Sequence, residues 1–205
     1  MFRTLVVLLK IIFYMFKKQK KLKEIKKLEK EGKEQEVKEQ IAPLVINWAK
    51  YCVDVTGAEV EVVGLENIPS DRSVVYIGNH QGLMKLMKCV FLARKNPRQS
   101  VEAMHQGMEN VKKGYSMVIF PEGTRSKGGP VKEFKPGSFK LAFQSSADIV
   151  PVTIDGTWKI YEEHKNIKPA KIKLTIHPVV KTEGLSKEEL REIPAQVQKI
   201  VESAL

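Results

Sequence analysis

Apolar positions change their period along this chain, and the changes divide it. Residues 5–16, LVVLLKIIFYMF, are apolar at every position but Lys10, nearly all round a helix rather than on one stripe. From Lys17 to Gln40 the chain is rich in lysine and glutamate. Leu22, Ile25 and Leu28 stand there at helical spacing, which predicts a polar helix with a thin apolar seam. Residues 41–57, IAPLVINWAKYCVDVTG, predict a second apolar helix that ends at Gly57. Together these stretches predict an N-terminal helical hairpin over 1–57.

A different regime begins at Ala58. AEVEVVG and SVVYIGN are short runs rich in β-branched residues, separated by turn formers around Pro69-Ser70-Asp71. Residues 100–113 predict a helix closed by Gly114, and SMVIF (116–120) a buried strand. Residues 121–137 hold four glycines and three prolines and predict a loop. A short helix (138–146), the strands IVPVTI (149–154) and KIKLTIHPVV (171–180), and a helix capped by Ser186 follow. Strands alternating with helices define an α/β domain over 58–205, with a mixed central sheet flanked by helices.

Charge sharpens the picture of the first segment. The 205 residues carry a formal net charge of +11. Seven lysines and one glutamate between 17 and 27 supply +6 of it. The apolar run before them is shorter than the ~20 residues that cross a bilayer. The basic cluster follows that run, and no small-residue cleavage site is present, contrary to a signal peptide. The expectation is an interfacial anchor: apolar residues enter the acyl boundary while lysines meet anionic head groups, at ~1 kcal/mol each. The competing reading is a core helix followed by a solvated charged one. Nucleic acid is disfavoured as a partner, because the basic tract lacks interleaved aromatics and no nucleic-acid motif follows. Cys52 and Cys89 form no C-x-x-C and give no reason to expect a disulfide or zinc. No metal site is expected: His164 and His177 lack ligand spacing, and His105 falls on the predicted 100–113 helix.

Two short motifs carry chemistry. FPEGTRS (120–126) leaves a buried strand at its carboxyl end, where ligands of α/β sheets gather. Its glycine lets backbone amides approach an anion, and Arg125 offers a planar fork that matches phosphate. Asn79-His80 closes the preceding strand, and the histidine suits a general base.

Asn79-His80 and Phe120 to Arg125 together resemble the glycerolipid acyltransferase family, which acylates lysophosphatidic acid. CVFLARKN resembles the family's second block, with Arg94, and IVPVTI its fourth, with Pro151. FKPGSFKLA (134–142) is also in the family's style, and the resemblance runs from about Val60 to Val180 in family order. The resemblance implies the glycerolipid acyltransferase fold. It implies that His80 is the general base on the free hydroxyl of 1-acyl-glycerol-3-phosphate. It further implies that Arg94, Glu122, Gly123, Thr124 and Arg125 bind that substrate, Glu122 by orienting Arg125 or a backbone amide. The acyl donor would be acyl-CoA or acyl-acyl-carrier protein as co-substrate, with no cofactor. The expected location is the cytoplasmic face of the cell membrane, monotopic or peripheral, against anionic lipids.

The chain departs from the family at one point. The family's first block places an aspartate five positions after the start of His-x4-Asp, and here that position is Lys85. His80 and Arg94 are 14 residues apart, where the family has several dozen. A segment between 82 and 86 is expected to be missing, and with it the aspartate. Asp71, Asp148 and Asp155 are the carboxylates that could stand in. A lipid-phosphate-binding remnant without turnover is the alternative function.

Overall fold

The computed structural model describes residues 2–81 and 97–205, and they form two compact units. The first comprises residues 1–59 with 159–171, and the second residues 60–158 with 172–205. Arg94, Lys85 and the expected seam at 82–86 lie outside the described residues.

In the first unit, helix α1 (Phe2–Lys17) is followed by α2 (Gln19–Lys30) and α3 (Glu34–Thr56). The lysine-rich stretch is therefore not one helix to Gln40. It breaks at Glu31-Gly32-Lys33, and Gly32 takes φ +72°. Residues 34–40 instead open α3, where Glu34 and Glu36 favour the positive end of the helix dipole. Helix α3 carries Pro43 and stops at Gly57, which takes the left-handed conformation and donates its N–H to Asp54 O.

Internal bonds tie the unit together. Tyr14 stacks on Tyr51 at 4.4 Å, and Arg3 donates to Thr56 O at 3.0 Å. Thr4 Oγ1 accepts from Ile167 N–H and bonds Asn166 Oδ1. Val7, Ile25 and Val37 are buried, yet Leu5, Leu9, Ile12, Phe13 and Phe16 stand 56–67% exposed. These five recur at helical spacing along one side of α1.

The second unit is built on a five-stranded sheet in the order β1-β5-β4-β2-β3. Its strands are β1 (Glu59–Val63), β2 (Val75–Gly78), β3 (Met117–Ile119), β4 (Ile149–Asp155) and β5 (Lys171–Ile176). β2 runs parallel to both β3 and β4, whereas β5 is antiparallel to β4. The sheet is mixed and flanked by helices, as the alternation of elements predicts. β5 is shorter than the expected 171–180, because Pro178 has no N–H for the ladder; Val180 then bridges Ile149.

Alternation along β2 separates two apolar layers. Val75 and Ile77 face a core with Phe139, Leu141 and Ala142 around α5 (Lys140–Ser145), and with Ile193, Val197 and Val201 of α6 (Lys187–Glu202). Val111 of α4 (Pro97–Lys112) joins them. Val74 packs with Val150 and Ile176 in a separate cluster. Fully burying a side chain such as Phe139 contributes ~1.5–3 kcal/mol. Ser186 and Glu189 form the reciprocal cap expected at the start of α6.

A buried polar strap joins α6 to the sheet. Thr153 Oγ1 donates to Val201 O at 2.6 Å, so its remaining partner, His177 Nε2 at 2.8 Å, is the donor to it. Burial holds the His177 imidazole below its ordinary value of 6.5. The unfolded chain, which protonates near 6.5, therefore binds more protons than the folded one as pH falls. This contribution to stability is complete above pH 6.5 and is lost as pH drops toward the depressed folded value. Urea melts of wild type and His177→Gln, which keeps a neutral donor, test the assignment. Wild type should lose more stability than the variant between pH 7.5 and 5, and parallel losses would contradict it.

Candidate active site

The site is assembled at the carboxyl end of β2. The glycine that closes this strand is required by close approach, since a Cβ on Gly78 would stand 2.6 Å from Val152 O of the neighbouring strand. Asn79 is fully buried. Its Nδ2 donates to Ile154 O at 2.8 Å and its Oδ1 accepts Ile154 N–H at 2.7 Å. The side-chain amide thus adds one rung between β2 and β4 after the backbone ladder has ended at Gly78 and Val152. That rung fixes where the next residue, His80, leaves the sheet.

His80 is held by the loop after β3. Its N–H donates to Glu122 Oε1 at 2.6 Å, and its carbonyl accepts Ser126 N–H at 2.8 Å. The imidazole stacks on Phe120 with centroids 4.5 Å apart and planes 25° from parallel. Both backbone groups and the ring of the histidine are therefore positioned by FPEGTRS. The adjacency of β2 and β3 in the sheet brings together two motifs forty residues apart in sequence.

Glu122 is 2% exposed, and its other oxygen, Oε2, accepts Lys132 N–H at 3.0 Å. A buried carboxyl group is tolerable when hydrogen bonds replace its hydration. Here the backbone amides of His80 and Lys132 do so. The turn itself is closed by Gly123 N–H to Phe120 O at 3.2 Å, with Gly123 at φ +65°. Thr124 and Arg125, both half-buried, follow it and precede Ser126. Of the residues assigned by resemblance, His80, Glu122, Gly123, Thr124 and Arg125 are drawn into one cluster.

Ser126, Lys132 and Phe120 were not legible as site residues. Only Phe120 and Ser126 carried a signal, as flanks of the motif, whereas Lys132 acts through its backbone and leaves none. Of the three stand-in carboxylates, Asp148 and Asp71 pair with Arg72 at 3.1 Å, beside the amino ends of β2 and β4. They lie at the opposite end of these strands from His80. Asp155 closes β4 at the same end as His80. His105 is exposed on α4, as its helical position predicts. Gln81 Oε1 and Ser126 Oγ are buried without a hydrogen-bonding partner among the described residues, and both flank the His80 backbone.

Comparison with known proteins fits this geometry. The Acyltransferase family model matches residues 81–155. The crystal structure of the 1-acyl-sn-glycerophosphate (LPA) acyltransferase PlsC from Thermotoga maritima superimposes with a TM-score of 0.71 and 25% identity, covering 98% of this chain and 95% of that one. The chain has the fold of that acyltransferase, and its segment 81–155 is similar to the Acyltransferase family.

The chain is similar to proteins named as 1-acyl-sn-glycerol-3-phosphate acyltransferases. The chloroplastic BAT2 enzyme of Brassica napus is 36% identical over 133 residues, 50% of this chain and 39% of that protein. The Borreliella burgdorferi enzyme is 27% identical over 176 residues, 69% of this chain and 70% of that protein. The chain spans 39%, 37% and 57% of the length of three curated relatives. The Borreliella alignment takes 176 positions, but 69% of 205 residues is about 141. About 35 aligned positions thus have no counterpart in this chain.

Glu122→Gln tests the clasp. The amide keeps one acceptor and turns its NH2 toward the N–H of His80 or Lys132, leaving a buried donor unmatched at about 1–3 kcal/mol. In a chain of this size that lowers the thermal midpoint by about 2–4 °C per kcal/mol. A midpoint equal to wild type in a calorimetric scan would rule the clasp out.

Proposed function

We propose that the chain transfers an acyl group from acyl-CoA or acyl-acyl-carrier protein to the free hydroxyl of 1-acyl-glycerol-3-phosphate, giving phosphatidic acid. The observation that carries this reading is the fixing of His80, through both its backbone groups and its ring, onto the FPEGTRS loop. The activity for which similar proteins are named supports the same substrate. His80 accepts the hydroxyl proton as that oxygen attacks the thioester carbonyl. The carbon–sulfur bond then breaks, and the proton passes to the departing thiolate. A positioned base contributes ~10²–10⁴-fold. Arg125 and the Gly123-Thr124 turn grip the phosphate, with Arg94 from the second block. Glu122 shapes the turn from beneath. The grip fixes the hydroxyl relative to the thioester, which lowers the entropy cost of the reaction.

The membrane supplies the acceptor. No described helix is long and apolar enough to cross a bilayer. The exposed apolar side of α1 and the lysines of α2 suit an interfacial anchor on anionic lipid, at the cytoplasmic face. Flotation with phosphatidylglycerol-containing vesicles should recover the chain, and Leu9→Glu with Phe13→Glu should release it. Equal recovery of that double variant would refute the anchor.

Lys85 at the aspartate position favours a second reading, a lipid-phosphate-binding protein without turnover. In serine proteases, losing the aspartate that orients the histidine costs ~10⁴ in turnover, and a lysine cannot take its place beside an imidazolium. Labelled acyl-CoA and lysophosphatidic acid separate the two readings. Phosphatidic acid formed by wild type, and reduced at least a hundredfold in His80→Ala, supports catalysis. Formation no greater than in His80→Ala, with retained lipid binding, supports the second reading.

A further inference from the structure

Ten residues beyond the phosphate-binding turn, Lys135 returns to it. Its backbone N–H donates to Pro121 O at 3.2 Å, which docks this segment on the start of the loop. Its side chain then runs across Gly123. A Cβ at that glycine would stand 3.3 Å from Lys135 Nζ, 3.7 Å from Cε and 3.9 Å from Cδ. The stem thus passes at van der Waals distance from the glycine, with the ammonium nearest to it. Lys135 is exposed, and no carboxylate among the described residues forms an ion pair with its ammonium. Glu122, next to Gly123, spends both oxygens on backbone amides, and Glu133, two residues before Lys135, forms no ion pair with it. An unpaired cation is thereby held over the turn that precedes Thr124 and Arg125.

We propose that Lys135 is a specificity-determining cation of the acceptor site, selecting a phosphate monoester over a phosphodiester head group. The inference rests on the acceptor reading given above and adds a residue and a selectivity to it. A monoester carries close to two negative charges at neutral pH, since its second pKa is ~6. An arginine fork matches the geometry of two phosphate oxygens but supplies one positive charge. A lysine adds a point charge that needs no fixed angle, suited to the remaining oxygen. A zwitterionic phosphodiester such as lysophosphatidylcholine has one negative charge and a bulky cation, which an ammonium over Gly123 repels. Gly123, at φ +65°, turns the loop, and Lys135 lays its charge across that turn.

Isothermal titration of the full chain with monomeric hexanoyl-lysophosphatidic acid, glycerol 3-phosphate, inorganic phosphate and hexanoyl-lysophosphatidylcholine tests this without requiring turnover. Lys135→Met retains the stem and removes the charge. It should weaken hexanoyl-lysophosphatidic acid about tenfold and flatten the dependence of binding on salt. Lys135→Arg should restore most of the loss, and lysophosphatidylcholine should bind Lys135→Met no more weakly than wild type. Glycerol 3-phosphate and inorganic phosphate separate a lipid head group from any small anion. A Lys135-dependent loss with the lipid exceeding that with inorganic phosphate supports an acceptor site, and an equal loss with both overturns head-group selection.

Lys135→Met binding as tightly as wild type while Arg125→Met binds poorly would overturn the inference and leave the acceptor reading intact. Loss in Lys135→Met that arginine does not restore would overturn it also, because charge would not be the cause. No lysophosphatidic acid binding by wild type would overturn the acceptor reading and the inference with it.

Discussion

The carboxyl group of Glu122 joins two stretches of chain that would otherwise diverge, accepting the N–H of His80 on one oxygen and that of Lys132 on the other. It is almost wholly buried, so each bond replaces a water it has lost. The geometry of the loop follows from it. Ser126 bonds the His80 carbonyl while Glu122 holds the amide on the other side, and the Phe120 ring stacks on the imidazole where the turn closes at Gly123. A glutamate in a motif proposed to hold phosphate is electrostatically awkward when imagined pointing at the anion. Glu122 instead turns to the amides of His80 and Lys132.

The sheet supplies the reference frame for this clasp. β2 lies between β3 and β4, both parallel to it, so residues leaving the carboxyl ends of β2 and β3 emerge side by side. Asn79 extends the β2–β4 pairing by one side-chain rung and thereby sets the height at which His80 departs. Gly78 permits the close approach to Val152 on which the rung depends. The polar residues flanking the histidine thus act mainly on backbone, and the histidine is their product. This is a common economy in α/β proteins, where rigid strand ends position a few reactive groups.

Much of this was readable in the sequence because the signals were local. Period changes located the helices and strands, Gly57 marked the end of α3, and Ser186 with Glu189 marked the start of α6. Where the reading slipped, a non-local or single-residue effect had decided the outcome. The charged stretch 17–40 has one composition but two helices, divided by the left-handed Gly32. β5 stops at Ile176 because Pro178 breaks the ladder. The site residues were legible as motif members, whereas their roles were not. Nothing in the spacing shows that Glu122 faces backbone or that Lys135 lies across Gly123, since both depend on how the loop folds back on itself. Asp71 and Asp148 were plausible partners for His80 in sequence, and the strand direction places them at the wrong end.

In the proposed reaction the imidazole of His80 and the guanidinium of Arg125 serve the same small acceptor, one at its hydroxyl and the other at its phosphate. The most direct measurement is the crystal structure of the chain with a short-chain lysophosphatidic acid. The account predicts the phosphate on Arg125 and the 123–125 turn, with the free hydroxyl within about 2.6–3.2 Å of a His80 ring nitrogen. A head group bound elsewhere, or seated on the turn with its hydroxyl directed away from His80, would contradict it.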